Sequence, residues 1–519
     1  MTVVLATIVR PSISPQSISA SRDSRPAANR QDEAMTQTEL TPESPSPESV
    51  AHNRLPSQTA FIVGNEACER FCYYGIMAVL MAYLTSANSL KMKDDQATEI
   101  IHLFKSAVYL TPLLGAWIAD RWLGRYRTIL FVSLVYCLGN LVLATTAGNV
   151  WGLYAGLFLI ALGAGGIKPC VSTFVGDQFG PHQQHLLPKV YGLFYWSINF
   201  GSFFAFGLIP AVRDNYGYAW AFGIPGIFMA MATLILWLGR KRYVRVPPAV
   251  SQPQKRQPIR TTIKAVAGIL MIFASAPFFW ALYDQTSSTW IIQGKQMQVW
   301  EALSFHLGRV PQVFDMFLKL LFTGAADATG TGCTYVLKLD ADRMQSFNPL
   351  LIMLLIPAFM WLYPKLEQWT GIRISPLRRM VTGMVLLAVS FVIVGWFQQR
   401  IDQGEQISIV WQTLPYTLLT IGEILFSATG LEFAFSQAPA SMKSTIMSFW
   451  LLTTAAGNAL VALLTFLGRK TGLIAETASG TAPASVPANQ FFLYAVLLAV
   501  VTGFFMWSAI RYKEQKPAM

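Results

Sequence analysis

The stretch that decides the fold reads YRTILFVSLVYCLGNLVLATTAGNVWGLYAGLFLIALGAGGIKPCVST, residues 126–173. Two apolar runs flank a short turn, and the only charges in the stretch are Arg127 and Lys168. A run of about 20 apolar residues crosses a hydrocarbon core as a helix, so this segment reads as two membrane spans joined by a tight connection. Working outward, the same pattern recurs along most of the chain. Twelve spans are predicted, at 58–85, 97–119, 126–146, 151–173, 189–212, 218–238, 264–292, 346–364, 378–398, 410–433, 443–467 and 489–510.

Composition agrees. The chain has 519 residues, 53% hydrophobic and only 13% charged, where a soluble protein carries roughly 25% charged residues. That excludes a disordered chain, a disulfide scaffold and a soluble enzyme. The five cysteines, Cys68, Cys72, Cys137, Cys170 and Cys333, have neither metal-ligand nor CxxC spacing, so no metal is expected. No phosphate loop, HExxH or strand-borne GxSxG occurs, so neither ATP-driven pumping nor catalysis is indicated. Gly163-Ala-Gly-Gly-Ile-Lys168 has the wrong spacing for a phosphate loop and lies in an apolar run.

The polar segments set the organisation. Residues 1–56 are rich in Ser, Pro, Thr and Ala, without apolar periodicity, and read as a disordered cytoplasmic tail. Residues 57–238 hold six spans, 239–263 form a basic cytoplasmic linker, and 264–511 hold six more, with a long outer loop at 293–345. Residues 512–519 are a second cytoplasmic tail. Six plus six about a central linker is the major facilitator plan of two six-helix bundles, an all-α membrane fold with the substrate between them near the midplane. Within the outer loop, Val310–Phe322 has the pattern of an amphipathic helix lying on the membrane surface, and the loop otherwise reads as a passive insertion.

The formal net charge is +12, from 39 basic and 27 acidic residues. With both termini inside, the inner loops carry about 20 basic residues against four acidic, whereas the outer loops are near balance. The excess is therefore an orientation signal that puts both termini in the cytoplasm, and it points to no nucleic-acid partner.

The scarce charges inside the spans carry the function. Glu66, Glu69, Arg70, His102, Lys105, Lys168, Asp284 and Glu423 all lie within predicted spans. Each costs at least about 2.5–3.5 kcal/mol to insert at the bilayer centre, so such residues face a cavity or a partner. Helical spacing puts them on faces with other polar and aromatic residues: Glu66, Arg70, Tyr73 and Met77; His102, Lys105 and Tyr109; Tyr195, Asn199 and Ser202; Trp280, Asp284 and Ser287; Glu423 and Ser427. Eight ionisable residues over five spans point to a polar pathway.

These residues carry a family resemblance. Glu66-Ala-Cys-Glu-Arg-Phe-Cys-Tyr-Tyr-Gly75 resembles the ExxERFxYYG signature of proton-dependent oligopeptide transporters, the POT/PTR family of the major facilitator superfamily. GAWIADRWLGRYRT (115–128), GAGGIKPCVSTFVGDQF (163–179), FYWSINFGS (194–202), FFWALYDQ (278–285), SFNPLLIMLLIP (346–357) and GLEFAFSQAPASMKS (430–444) are similar to further family signatures, in order across both halves. The resemblance implies symport of di- and tripeptides with protons by alternating access, in a cell membrane, without a cofactor other than the coupling proton. It implies that Arg70 and Lys168 meet the peptide carboxylate and Glu423 the amino terminus. Tyr73, Tyr74, Tyr109, Asn199, Trp280, Asn348, Ser427 and Trp450 match pocket positions. Glu66, Glu69, His102, Asp284 and Glu423 match proton-coupling or gating positions, and Asp120 and Arg121 fall in the loop motif between spans 2 and 3. Lys168 and Glu423 are expected to neutralise each other when the site is empty.

Two departures stand out. The 239–263 linker is too short for the two extra helices of many bacterial members. Many members also carry Arg two residues after the signature glycine, paired with the span-7 carboxylate, and that position is Met77 here. Counted inward from the outer ends, Met77, Lys105 and Asp284 lie at one depth, which makes Lys105 the candidate replacement partner of Asp284; the competing reading has Lys105 snorkel to the surface. The alternatives to peptide symport are another solute on the same fold, such as nitrate, an amino acid or a drug, or a peptide sensor.

Overall fold

A computed structural model describes residues 55–245, 259–308, 310–326, 332–371, 375–437, 443–471 and 486–512. The expected 1–56 tail lies outside them but for its last two residues, as do the 246–258 part of the linker and all but the first residue of the 512–519 tail. In a bilayer the backbone must satisfy its own hydrogen bonds, so long helices are the expected solution. The body is a set of such helices: α1 (Thr59–Thr85), α2 (Asp94–Leu123), α3 (Arg125–Thr145), α4 (Val150–Gly176), α5 (Leu187–Tyr216), α6 (Tyr218–Leu238) and α7 (Val266–Gln296). After a connector come α9 (Phe347–Thr370), α10 (Pro376–Asp402), α11 (Ile409–Ala434), α12 (Lys443–Thr471) and α13 (Ala488–Arg511). Ten of the described helices are long and apolar enough to cross a membrane by length and composition alone; α1 and α9 are not among those ten. In α1 the charges Glu66, Glu69 and Arg70 dilute the apolar character.

The helices pack as two groups. α1 packs against α5 and α6, and α3 against α4 and α6, while α10 packs against α11 and α13 and α7 against α12. The pairs that join the groups include α2 with α12 and α5 with α9. Glycine makes the closest approaches. A Cβ on Gly115 would lie 2.5 Å from the Gly166 Cα, so α2 and α4 meet backbone to backbone beside Lys168. A Cβ on Gly201 would lie 2.4 Å from the Ala67 carbonyl, which brings α5 against α1 at the level of Arg70. Apolar side chains such as Leu138, Phe158, Leu234, Leu354, Val500 and Ile510 are exposed around the outside, as a lipid-facing belt requires.

The long connector departs from the all-helical expectation. It holds a three-stranded antiparallel sheet in the order β1 (Trp300–Gly308), β3 (Gly332–Leu339), β2 (Thr323–Ala326). The expected amphipathic helix is there, as α8 (Gln312–Leu321). It packs on α5 of the first half, with Leu318 buried. The physical reason is local: α8 leads into β2, and the end of α5 supplies a polar side chain, Asn215, that takes up the loose carbonyls at the end of α8. We call this connector the cap, and the side it covers the cap face.

Candidate functional site

A cavity of about 1690 Å³, its open mouth included, lies between the two halves. Its walls bring together Glu66, Arg70, Tyr73, Tyr74, Met77, Lys105, Tyr109, Lys168, Asn199, Trp280, Asp284, Asn348, Glu423, Ser427 and Trp450. These come from α1, α2, α4 and α5 on one side and α7, α9, α11 and α12 on the other.

The first wall carries two cations, Arg70 and Lys168, and the carboxylates that orient Arg70. Arg70 Nε lies 3.0 Å from Glu66 Oε1, one helical turn away, and its Nη2 lies 2.5 Å from Glu69 Oε2. All three residues are buried, Glu69 completely. The pairing orients Arg70 while leaving a guanidinium in the cavity wall. Lys168 Nζ lies 4.0 Å from the Tyr109 ring centre and 4.9 Å from that of Tyr73. Such rings hold a cation without neutralising it. Asn199 donates to the Tyr195 carbonyl of its own helix at 3.0 Å.

Glu423 stands on the opposite wall. Its Oε2 accepts from Tyr283 Oη and Asn348 Nδ2, both at 2.9 Å. Asn348 also donates to Thr420 Oγ1 at 3.0 Å. The expected pairing of Glu423 with Lys168 is therefore replaced by two neutral donors on the carboxylate's own half, while Lys168 is held by aromatic faces on its half. Directly after Glu423 the backbone widens into a π turn, Ile424–Ala428, which carries Ser427. Such turns recur at functional sites because they re-aim side chains. The Trp450 and Trp280 ring centres are 6.5 Å apart, with Phe426 packed against both.

Between these walls, toward the cap face, lies a buried polar chain. Lys105 Nζ donates to Asp284 Oδ1 at 2.6 Å, across the two halves. α7 changes to a 3-10 turn at Asp284–Ser287, and Ser288 leaves helical geometry at φ −137° and ψ −91°. Asp284 Oδ2 accepts from Asn458 Nδ2 at 2.6 Å, and the same nitrogen donates to the Thr454 carbonyl at 3.0 Å. Both neighbours of that nitrogen are acceptors, which fixes the amide's orientation. Asn458 Oδ1 therefore faces His102 Nδ1, at 2.8 Å, and this ring nitrogen carries the hydrogen. His102 Nε2 lies 3.0 Å from Ser288 Oγ, which is 3.1 Å from Gln285 Oε1.

Asp120 and Arg121 are exposed at the end of α2, away from the cavity. A π turn, Ala119–Leu123, followed by Gly124 at φ 72°, reverses the chain there, so that Arg125 rather than Arg121 makes the ion pair, with Asp177 at the end of α4. Tyr283, Thr420, Ser288 and Asn458 join the site without having been singled out in the sequence. Tyr283 precedes Asp284 directly, and Ser288 follows it by four residues, one helical turn, so position relative to the charge was the available signal. Nothing in the sequence marks Asn458 beyond its polarity in an apolar span.

Comparison with known proteins places these observations. The family model described as the POT family matches residues 126–257, 249–329 and 331–477. The chain is 34% identical over 407 residues to human solute carrier family 15 member 2, covering 69% of this chain and 51% of that protein. It is 35% identical over 396 residues to peptide transporter family 1 of Drosophila melanogaster, covering 67% and 48%. The chain thus spans about half the length of the curated relatives it matches. The fold is similar to the crystal structure of an auto-inhibited POT family peptide transporter, with TM-score 0.73 and 36% identity over 89% of this chain and 99% of that one.

Proposed function

The chain belongs to the POT family, and on that premise we propose that it is a proton-coupled symporter importing di- and tripeptides by alternating access. In this reading all twelve long helices span the membrane as two bundles of six, both termini are cytoplasmic, and the protein sits in the cell membrane with the cap outside. The observation that carries the reading is the division of charge in the cavity. Arg70 and Lys168 stand on one half, and Glu423, free of a cationic partner among the described residues, stands on the other. A zwitterionic peptide would bridge them, carboxylate to the first half and ammonium to the second. Variable side chains would meet Tyr74, Trp280 and Trp450, which present aromatic surface without a fixed shape.

Bridging the halves is also what couples binding to motion, since a ligand shifts a conformational equilibrium only by its differential affinity for the two states. The proton would act at the Lys105–Asp284 pair. Protonating Asp284 removes the charge that holds Lys105, loosening the cap-face contact between the halves. Asn458 and His102 would pass the change to α12 and α2.

Competition for labelled dialanine uptake tests the proposal. Dipeptides and tripeptides are expected to compete, and free alanine, N-acetylated dialanine and nitrate are not. Equal competition by nitrate or by the N-blocked peptide would contradict the reading.

A further inference from the structure

The distal part of the cap is fastened to the wrong half. The cap is covalently continuous with α7 and α9 of the second half, and its root is anchored there as well. Gln298 N donates to the Ile407 carbonyl at 2.8 Å, and Ile409 N to the Gln298 carbonyl at 2.9 Å, a short parallel bridge to the α10–α11 connection. Its tip reaches across to the end of α5, in the first half. Asn215 Nδ2 donates to the carbonyls of Lys319 at 2.9 Å and Phe322 at 3.1 Å, and Asn215 Oδ1 accepts from Gly324 N at 3.1 Å. One side chain thus pairs with three backbone groups where α8 passes into β2. Beside it Asp214 takes Thr323 Oγ1 at 3.4 Å and Lys338 Nζ at 3.3 Å, and Arg213 pairs with Asp342.

We propose that α8 and β2 form a latch, seated on Asp214 and Asn215, that holds the cap face closed and must release α5 each time the cavity opens there. The inference rests on the alternating-access reading above and adds a device to it. Opening the cap face separates the halves. The cap root is held to the second half by chain continuity and by backbone bonds, so it travels with that half. The seam that parts is then the side-chain seam at Asn215. Lost hydrogen bonds of this kind shift a two-state balance by about three- to tenfold.

The test uses the full chain in membranes with the native cysteines replaced. In one arm, Asn215→Cys and Gly324→Cys are cross-linked across the seam by oxidation. Dialanine uptake and peptide counterflow should both stop and return on reduction. Full transport in the oxidised state, with cross-linking verified on a gel, would overturn the proposal. In the second arm Asn215→Ala is combined with Met77→Cys, a cavity position. Labelling from outside by an impermeant thiol reagent should rise about three- to tenfold over the Met77→Cys parent, and unchanged labelling would overturn the latch. The labelling arm needs no transport, so failure of peptide transport alone leaves it readable and is distinguishable from failure of the latch.

Discussion

At the residue scale, the informative contact is Lys105 with Asp284. Both are buried, and removing one partner of a buried pair costs about 3–5 kcal/mol because the other charge is left behind. Lys105→Ala should therefore lower the thermal midpoint and abolish pH-driven uptake. Lys105→Met with Asp284→Asn should restore most of the stability but not the uptake. A thermally unchanged Lys105→Ala protein would mean that the pair holds nothing together. Glu423→Gln keeps the shape and the acceptor for Tyr283 and Asn348 while removing the charge. Peptide binding should weaken by about 10- to 100-fold, the worth of a charge-assisted hydrogen bond, read by equilibrium binding in detergent. An unchanged affinity would separate Glu423 from the peptide amino terminus.

Those two sites also show how far the sequence could be read. Charge inside an apolar span is expensive, so Lys105, Asp284 and Glu423 announced themselves, and counting residues inward put the first two at one depth. What Glu423 bonds to was not legible. Tyr283 and Asn348 reach it from α7 and α9, and which donors meet across helices depends on helix rotation, which no local pattern encodes. Lys168 likewise lines the cavity but meets two rings of its own half, Tyr109 and Tyr73, rather than Glu423 across the cavity.

At the element scale, close helix contact explains the glycines. Gly115→Ala would drive a Cβ to 2.5 Å from the Gly166 Cα, and overpacking of this kind costs about 1–3 kcal/mol. A lower thermal midpoint is expected for Gly115→Ala, and none for Gly207→Ala, where nothing lies within 4 Å. Equal midpoints would contradict the packing described for α2 and α4. The cap sheet escaped the sequence reading because its two long strands, β1 and β3, pair across the intervening α8 and β2, so no short turn joins them to mark a hairpin. Within the cap, Asp315 accepts from Tyr335 Oη at 2.6 Å and Lys319 Nζ at 2.9 Å. The Tyr335 hydroxyl, and then Lys319, hold its carboxyl below the usual carboxylate range. A lowered value means that its stabilisation is complete above the unfolded carboxylate range and is lost only as pH falls through the depressed value. The cap should therefore show the same amide exchange protection at pH 5.5 and 7.5, after correction for intrinsic rate. Loss of protection at pH 5.5 would make the cap itself a proton sensor.

At the scale of the whole molecule, several polar contacts among the described residues join the halves on the cap face and at the middle. Lys105 with Asp284, His102 with Asn458, Arg469 with Glu99, Lys295 with Thr85 and the α5–cap seam all join them. The described conformation is thus the one closed under the cap. In the proposed cycle the proton on Asp284 lets the cap face part and admits the peptide, and the peptide, by bridging the two walls, draws the halves together under the cap again. Proteoliposomes with an imposed inward proton gradient test this most directly. Dialanine should accumulate above its external concentration, accumulation should vanish when the gradient is collapsed, and Glu423→Gln should abolish it. Failure to accumulate under the gradient, with Glu423→Gln indistinguishable from the parent, would contradict the account.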